Sequence, residues 1–160
     1  MELPLMLFLF VAVCSFAGKG DARRDPLVYF KATLTKSSNS VEAYPFGVGR
    51  IIPFSSVDAN IGRGYNPSSG VFVVPVSGYY QFRALLQSTG KGNSDFALVA
   101  KGSVKAHVTL RTDWTSTTLS AIIHVNKGDH VFIKKTYQNG NCPLRQGQWS
   151  QFIGYLLRKD

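Results

Sequence analysis

The chain has 160 residues, 44% of them apolar and 17% charged, so it is globular rather than disordered and fits one domain with a sizeable core. Its formal charge of +9 biases it toward anionic partners such as glycans, lipid headgroups, sulfated matrix or mineral-associated acids.

The opening MELPLMLFLFVAVCSFAGKG holds an apolar run from Leu3 to Ala17 that is short for a bilayer span and gives way to small residues. Ser15 and Ala17 suit a signal-peptidase site, which predicts a signal peptide over 1–17, cleavage before Gly18 and a secreted, extracellular product. Glu2 stands where such leaders usually carry a basic residue. No other segment is apolar for long enough to serve as a transmembrane anchor. Cys14 falls inside the leader, which leaves Cys142 without an intrachain partner. In the turn-rich QNGNCPLRQG, Cys142 is either a free thiol or half of an interchain disulfide. Residues 18–26, GKGDARRDP, form a short charged arm. No Gly-X-Y repeat, heptad or low-complexity tract follows, so self-association must come from the domain over 27–160.

From Leu27 the pattern is strands and turns. LVYFKATLT (27–35), VFVVPV (71–76), YYQFRALLQ (79–87), DFALVAKG (95–102), KAHVTLRT (105–112), TTLSAIIHV (117–125), DHVFIKKTY (129–137) and SQFIGYLL (150–157) are β-rich. Gly, Asn, Ser, Pro and Asp clusters separate them, and no window has capped helical periodicity. About ten short strands in one domain predict an all-β sandwich or jelly roll, because strands with one buried face need a second sheet to cover them. Within GYNPSSGVFVVPVSGYYQF (64–82), YNPSSG makes a turn and 71–76 a strand whose end or edge Pro75 marks, since proline cannot donate to a ladder. Ser77-Gly78 then reverses the chain into a strand that sends Tyr80 and Phe82 to the core and Tyr79 to a surface or interface.

These residues resemble the signature of the complement C1q globular-head family, a branch of the C1q/TNF superfamily. The family's Asn-x-Gly-x-x-Tyr, Gly-x-Phe, Pro and Gly-x-Tyr-x-Phe elements are matched by Asn60, Gly62, Tyr65, Gly70, Phe72, Pro75, Gly78, Tyr80 and Phe82. NKGDHVFI supplies Gly128 and Asp129 of a turn near the family's C-terminal end, SQFIGYLL supplies Phe152 and Gly154 of its closing strand, and Phe30 matches the first-strand aromatic. The resemblance implies a ten-stranded jelly roll assembled as a compact homotrimer. It is that of a secreted, head-only protein of invertebrate type, without the collagen stalk through which relatives recruit complement proteases.

An enzyme needs converging titratable groups, and His107, His124 and His130 lie on separate strands or strand ends without metal-ligand spacing. No phosphate loop or nucleophile elbow is present, so a non-enzymatic protein is expected, with no cofactor and no specific nucleic acid partner. The resemblance leaves calcium open through loop carboxylates, Asp95 and Asp113 being the candidates. Lys127-Gly128-Asp129 reads as a structural turn rather than an adhesion tripeptide, and Pro67 blocks glycosylation at Asn66. Arg145, Gln146, Gln148 and Trp149 form the most site-like group, a cation, amides and an exposed-type aromatic suited to a carbohydrate or anion. Arg111 and Lys134 are further candidate ligand contacts. Lys101, Lys105, Lys135, Arg158 and Lys159 complete a basic set that is either a solvated surface or a patch multiplied by trimerisation. The expected function is a pattern-recognition lectin of innate immunity that binds microbial or anionic glycans. The alternatives are an extracellular or shell-matrix protein that binds polyanions and a TNF- or cerebellin-like signalling ligand.

Overall fold

The computed structural model describes residues 26–35, 43, 44, 46–90, 92–111, 114–139 and 143–160, with the backbone alone at 43, 44, 138 and 139. The predicted leader, Asp113 and Cys142 lie outside the described residues, as does all of the arm except Pro26.

The described chain is all β. Its strands are β1 (Tyr29–Leu34), β2 (Ala43–Tyr44), β3 (Ser56–Ile61), β4 (Tyr65–Asn66), β5 (Val71–Val73), β6 (Gly78–Gln87), β7 (Asn93–Ala100), β8 (Ser103–Leu110), β9 (Ser116–Val125), β10 (His130–Asn139), β11 (Leu144–Arg145) and β12 (Gly147–Lys159). Ten of them form two five-stranded sheets, β3-β1-β12-β6-β9 and β4-β5-β10-β7-β8, and β11 pairs with β2 in a small ribbon. The expected ten-stranded jelly roll is therefore present, with the ribbon added at its margin.

Aromatic side chains fill the space between the sheets. Phe30 stacks on Tyr65 and on Phe72, each at 4.8 Å between ring centres, and meets Phe152 edge-on at 4.9 Å. Phe82 touches Phe72 and stacks on Tyr80, and all six rings are buried. Strict alternation in β6 sends Tyr80 and Phe82 inward while Tyr79 stays exposed, as the pleat requires. Gly154 exists because of this packing: a Cβ there would collide with the Phe30 and Phe82 rings.

The signature polar residues build the turns that bring these rings together. The Asn60 side chain donates to Tyr65 C=O at 2.8 Å and accepts from Tyr65 N–H at 3.1 Å, closing the loop between β3 and β4. The Tyr65 hydroxyl then donates to Phe54 C=O and accepts from Phe54 N–H, satisfying both buried backbone groups. Burial pushes this hydroxyl far above the ordinary tyrosine value. Asp129 accepts the Asn126 N–H at 2.7 Å, so Lys127-Gly128-Asp129 is a structural turn.

Two expectations change. The strand predicted over 71–76 stops at Val73, because Val74 N–H bonds to Asp129 C=O and Pro75 can donate to nothing, so Pro75 follows a strand end. Lys135, counted with the basic surface, is fully buried: it follows Lys134 on β10 and so faces the opposite side of the sheet.

Candidate functional site

One end of the sandwich carries the C-terminal ends of β6 and β8 and the N-terminal ends of β9 and β12. The described termini, Pro26 and Asp160, lie toward the opposite end, where β1 begins and β12 finishes. At the first end Ser88 is the organising residue. Buried after β6, it donates its N–H to Thr115 C=O at 2.9 Å and accepts the Trp114 N–H at 3.1 Å. It also pairs with Leu144 as an isolated bridge, and Thr89 N–H bonds to Pro143 C=O at 3.0 Å. The segment before β9 and the segment before β12 are thus stitched to the same point.

That stitching stacks a cation on two indoles. The Arg145 guanidinium carbon lies 4.2 Å from the Trp149 ring centre and 4.9 Å from that of Trp114, both inside cation–π range. Arg145 Nη1 donates to Gln87 Oε1 at 3.0 Å, and Gln87 Nε2 donates to Ser116 Oγ at 2.8 Å, which anchors the guanidinium to a buried amide. Trp114 is 56% and Trp149 42% exposed, so the column presents indole surface to solvent while its cation is held from within. Two local devices aim the indoles. Trp114 adopts φ 60°, a left-handed conformation that a bulky residue takes only under constraint, here from Ser88. Trp149 protrudes from a bulge in β12, where the pairing with β1 jumps from Thr33↔Gln151 to Leu34↔Gly147.

Of the predicted ligand contacts, Arg145 and Trp149 meet in this column and Gln148 is exposed beside Trp149. Arg111 follows the last residue of β8 and shares the same end. Lys134 does not join them: it lies mid-strand in β10, bridged to Ile51 on the flank. Gln146 is buried rather than displayed. Sequence reasoning missed Trp114, Gln87 and Ser116; the one local signal was that Trp114 is the chain's only other tryptophan.

The three histidines lie apart from the column and from one another. His107 shares Thr136 Oγ1 at 3.0 Å on the second sheet, His124 meets the Asp160 carboxylate at 2.9 Å beside the Tyr79 ring, and His130 opens β10. Asp95 sits within β7, 3.9 Å from His107, and among the described residues no three His, Cys, Asp or Glu side chains gather. Among the described residues, no helix is long and apolar enough to cross a membrane.

Known proteins share both the sequence and the architecture. The chain is 28% identical to human multimerin-1 over 87% of its length, 27% to the heavy metal-binding protein HIP of Mytilus edulis over 81%, and 26% to a human complement C1q subcomponent over 88%. It spans 11%, 60% and 54% of those relatives respectively. The solved globular domain of a zebrafish complement 1qA protein superposes with a TM-score of 0.65 at 17% identity, covering 84% of this chain and 99% of that one. The Eiger TNF of S. frugiperda superposes at 0.59 and 10% identity, covering 84% and 95%, and carries the same fold. The C1q domain family is matched over residues 29–157, most of the chain, and this protein belongs to it.

Proposed function

We propose that this protein is a secreted, non-enzymatic homotrimer that binds microbial or anionic glycans in innate-immune recognition, with the Trp114–Arg145–Trp149 column as its contact surface. The column carries the reading: exposed indole faces stack on the apolar faces of sugar rings, and a fixed guanidinium orients an acidic substituent. The column lies at the end of the sandwich opposite the one where β1 begins and β12 finishes. Three copies on one trimer convert weak single contacts into avidity on a repetitive surface. Gln148, exposed next to Trp149, extends the column's polar rim, and Arg111, just past the end of β8, is a further contact on this reading.

The test is binding of the mature protein, from Gly18 onward, to a panel of microbial and host glycans across a salt series, with its mass in solution recorded. Selective binding that survives moderate salt and is lost in Trp149→Ala supports recognition through the column. Indiscriminate binding to polyanions that fades as salt rises would mean bulk electrostatics, and would favour the matrix role instead.

A further inference from the structure

An open cleft lies on the flank of the second sheet, between the 46–53 segment and the 66–70 turn. Its open part measures about 450 Å³ and is lined by Arg50, Ser68, Ser69, Gly49, Phe46, Ile51 and Pro53. Volumes of this order hold one or two sugar rings. Phe46 and Pro53 also line a neighbouring pit of about 70 Å³, closed by Leu34, Thr35 and Ser55. Phe46 and Pro53 line both spaces, which are therefore neighbours.

Both walls are built before any ligand arrives. The 46–53 segment is hydrogen-bonded to β10 through Gly49 N–H to Lys135 C=O, Lys135 N–H to Arg50 C=O, and Ile52 N–H to Ile133 C=O. The facing turn is closed by the Asn66 carboxamide oxygen, which accepts from Ser68 and Ser69 N–H, and by Gly70 N–H to Asn66 C=O. Gly70 seats this turn against the first wall, since a Cβ there would strike Ile52 C=O and Pro53. Its φ of 74° is also one that glycine adopts freely.

The lining chemistry is asymmetric. Among its described residues the open part has one cation, Arg50, two serine hydroxyls and no carboxylate. Ser69 Oγ accepts from Val71 N–H at 3.4 Å, which leaves its proton for an outside acceptor. The pit is mostly carbon. An occupant must therefore place an acidic group against a guanidinium, ring hydroxyls against serines and a small apolar substituent in the pit. We propose that this cleft binds an acidic sugar unit bearing a short N-acyl group, with Arg50 pairing the acid, Ser68 and Ser69 taking ring oxygens and the Leu34–Phe46–Pro53 pit taking the acyl methyl. It is a site separate from the tryptophan column and requires no assembly.

Calorimetric titration of the purified protein with N-acetylneuraminic acid and with N-acetylglucosamine 6-sulfate tests this, since the two place a carboxylate or a sulfate beside the same acyl group. Binding of either supports the site and identifies which acid it takes. Glucosamine 6-sulfate, lacking the acyl group, and N-acetylglucosamine, lacking the acid, are each expected to bind about tenfold or more weakly. Arg50→Ala, an exposed position whose folding is checked by thermal unfolding, should abolish the preference for acid. Ser55→Phe, which fills the pit, should abolish the preference for acyl while the acid preference stays. Trp149→Ala should leave all of these titrations unchanged. The proposal is overturned if neither acidic sugar binds, if the stripped controls bind as well, or if Arg50→Ala binds like the parent. Loss of binding in Trp149→Ala alone would overturn it while leaving the column reading intact.

Discussion

Single atoms decide much of this fold, and Gly154 and Tyr65 show how. Gly154 lies where the Phe30 and Phe82 rings meet the β12 backbone, so Gly154→Ala must displace an aromatic ring that is itself packed on several sides. We expect a loss of about 1–3 kcal/mol, measured as a shift in urea midpoint at unchanged slope. Tyr65→Phe keeps the ring and removes a hydroxyl that serves both polar groups of Phe54, leaving them buried without partners at a cost of about 1–3 kcal/mol near neutral pH. The pH dependence carries its own sign. Burial raises the Tyr65 hydroxyl above its unfolded value, so the folded state holds that proton more tightly. Its contribution is intact below about pH 10 and drains away as pH climbs beyond that toward the folded value. Urea unfolding at successive alkaline pH values should therefore show a shallower loss of stability in Tyr65→Phe than in the parent; equal slopes would remove Tyr65 from the account. Residues of this kind were legible in the sequence, because glycine, asparagine and tyrosine at fixed spacing each answer a demand at one position. Trp114 was not, since it lies 4.9 Å from Arg145 only through the fold, and adjacency along the chain disclosed Trp149 alone.

Among the strands, the ones visible in the sequence are those with alternating apolar residues, and the one missed entirely at useful length is β3. Its residues SVDANI are exposed or half-buried throughout, and it is held by pairing with β1 and by the Lys31–Asp58 ion pair at 2.8 Å rather than by a buried face. An edge strand of this kind leaves no periodic signal, because its stability resides in its neighbour's backbone. Turns were legible when their residue types matched their geometry. The β7–β8 hairpin is an exception: Lys101 and Gly102 take φ 53° and 69°, the pattern of a two-residue I′ turn, with lysine in a place that asparagine or glycine usually occupies. Its ion pair with Asp129, at 3.8 Å and partly exposed, stabilises little. Lys101→Asn should accordingly stabilise the protein by about 0.5–1 kcal/mol, since asparagine tolerates the left-handed region better. Thermal unfolding would show a raised midpoint, and a lowered one would mean that the ion pair outweighs the backbone strain.

For the whole molecule, the outward face of the first sheet is the feature most at odds with a solitary domain. Ladder register aligns Ile61, Tyr29, Tyr155, Gln81 and Ile122 in one row across all five strands. Ile61 and Ile122 at its two ends are 45% and 61% exposed, and Tyr79 and Leu157 lie nearby at 51% and 46%. In the middle of the row the Tyr155 hydroxyl donates to Gln81 Oε1 at 2.6 Å, which ties the two side chains together on the face. The next row on this face, Ala59, Lys31, Ile153, Arg83 and Ser120, carries two cations, so the aliphatic and aromatic surface that association would cover is concentrated along the first row and around Tyr79 and Leu157. The proposed homotrimer would supply that cover if its contact used this face, and it would also supply the multivalency on which the glycan reading depends. Ile122→Glu tests both at once from a position whose side chain contributes little to the monomer core. Circular dichroism should be unchanged, the mass in solution should fall to that of one chain, and binding to a dense glycan surface should drop by about tenfold to a hundredfold while affinity for a single soluble sugar is retained. A variant that keeps the parent mass would place the subunit contact on another face, and one that loses mass without losing surface binding would separate recognition from avidity.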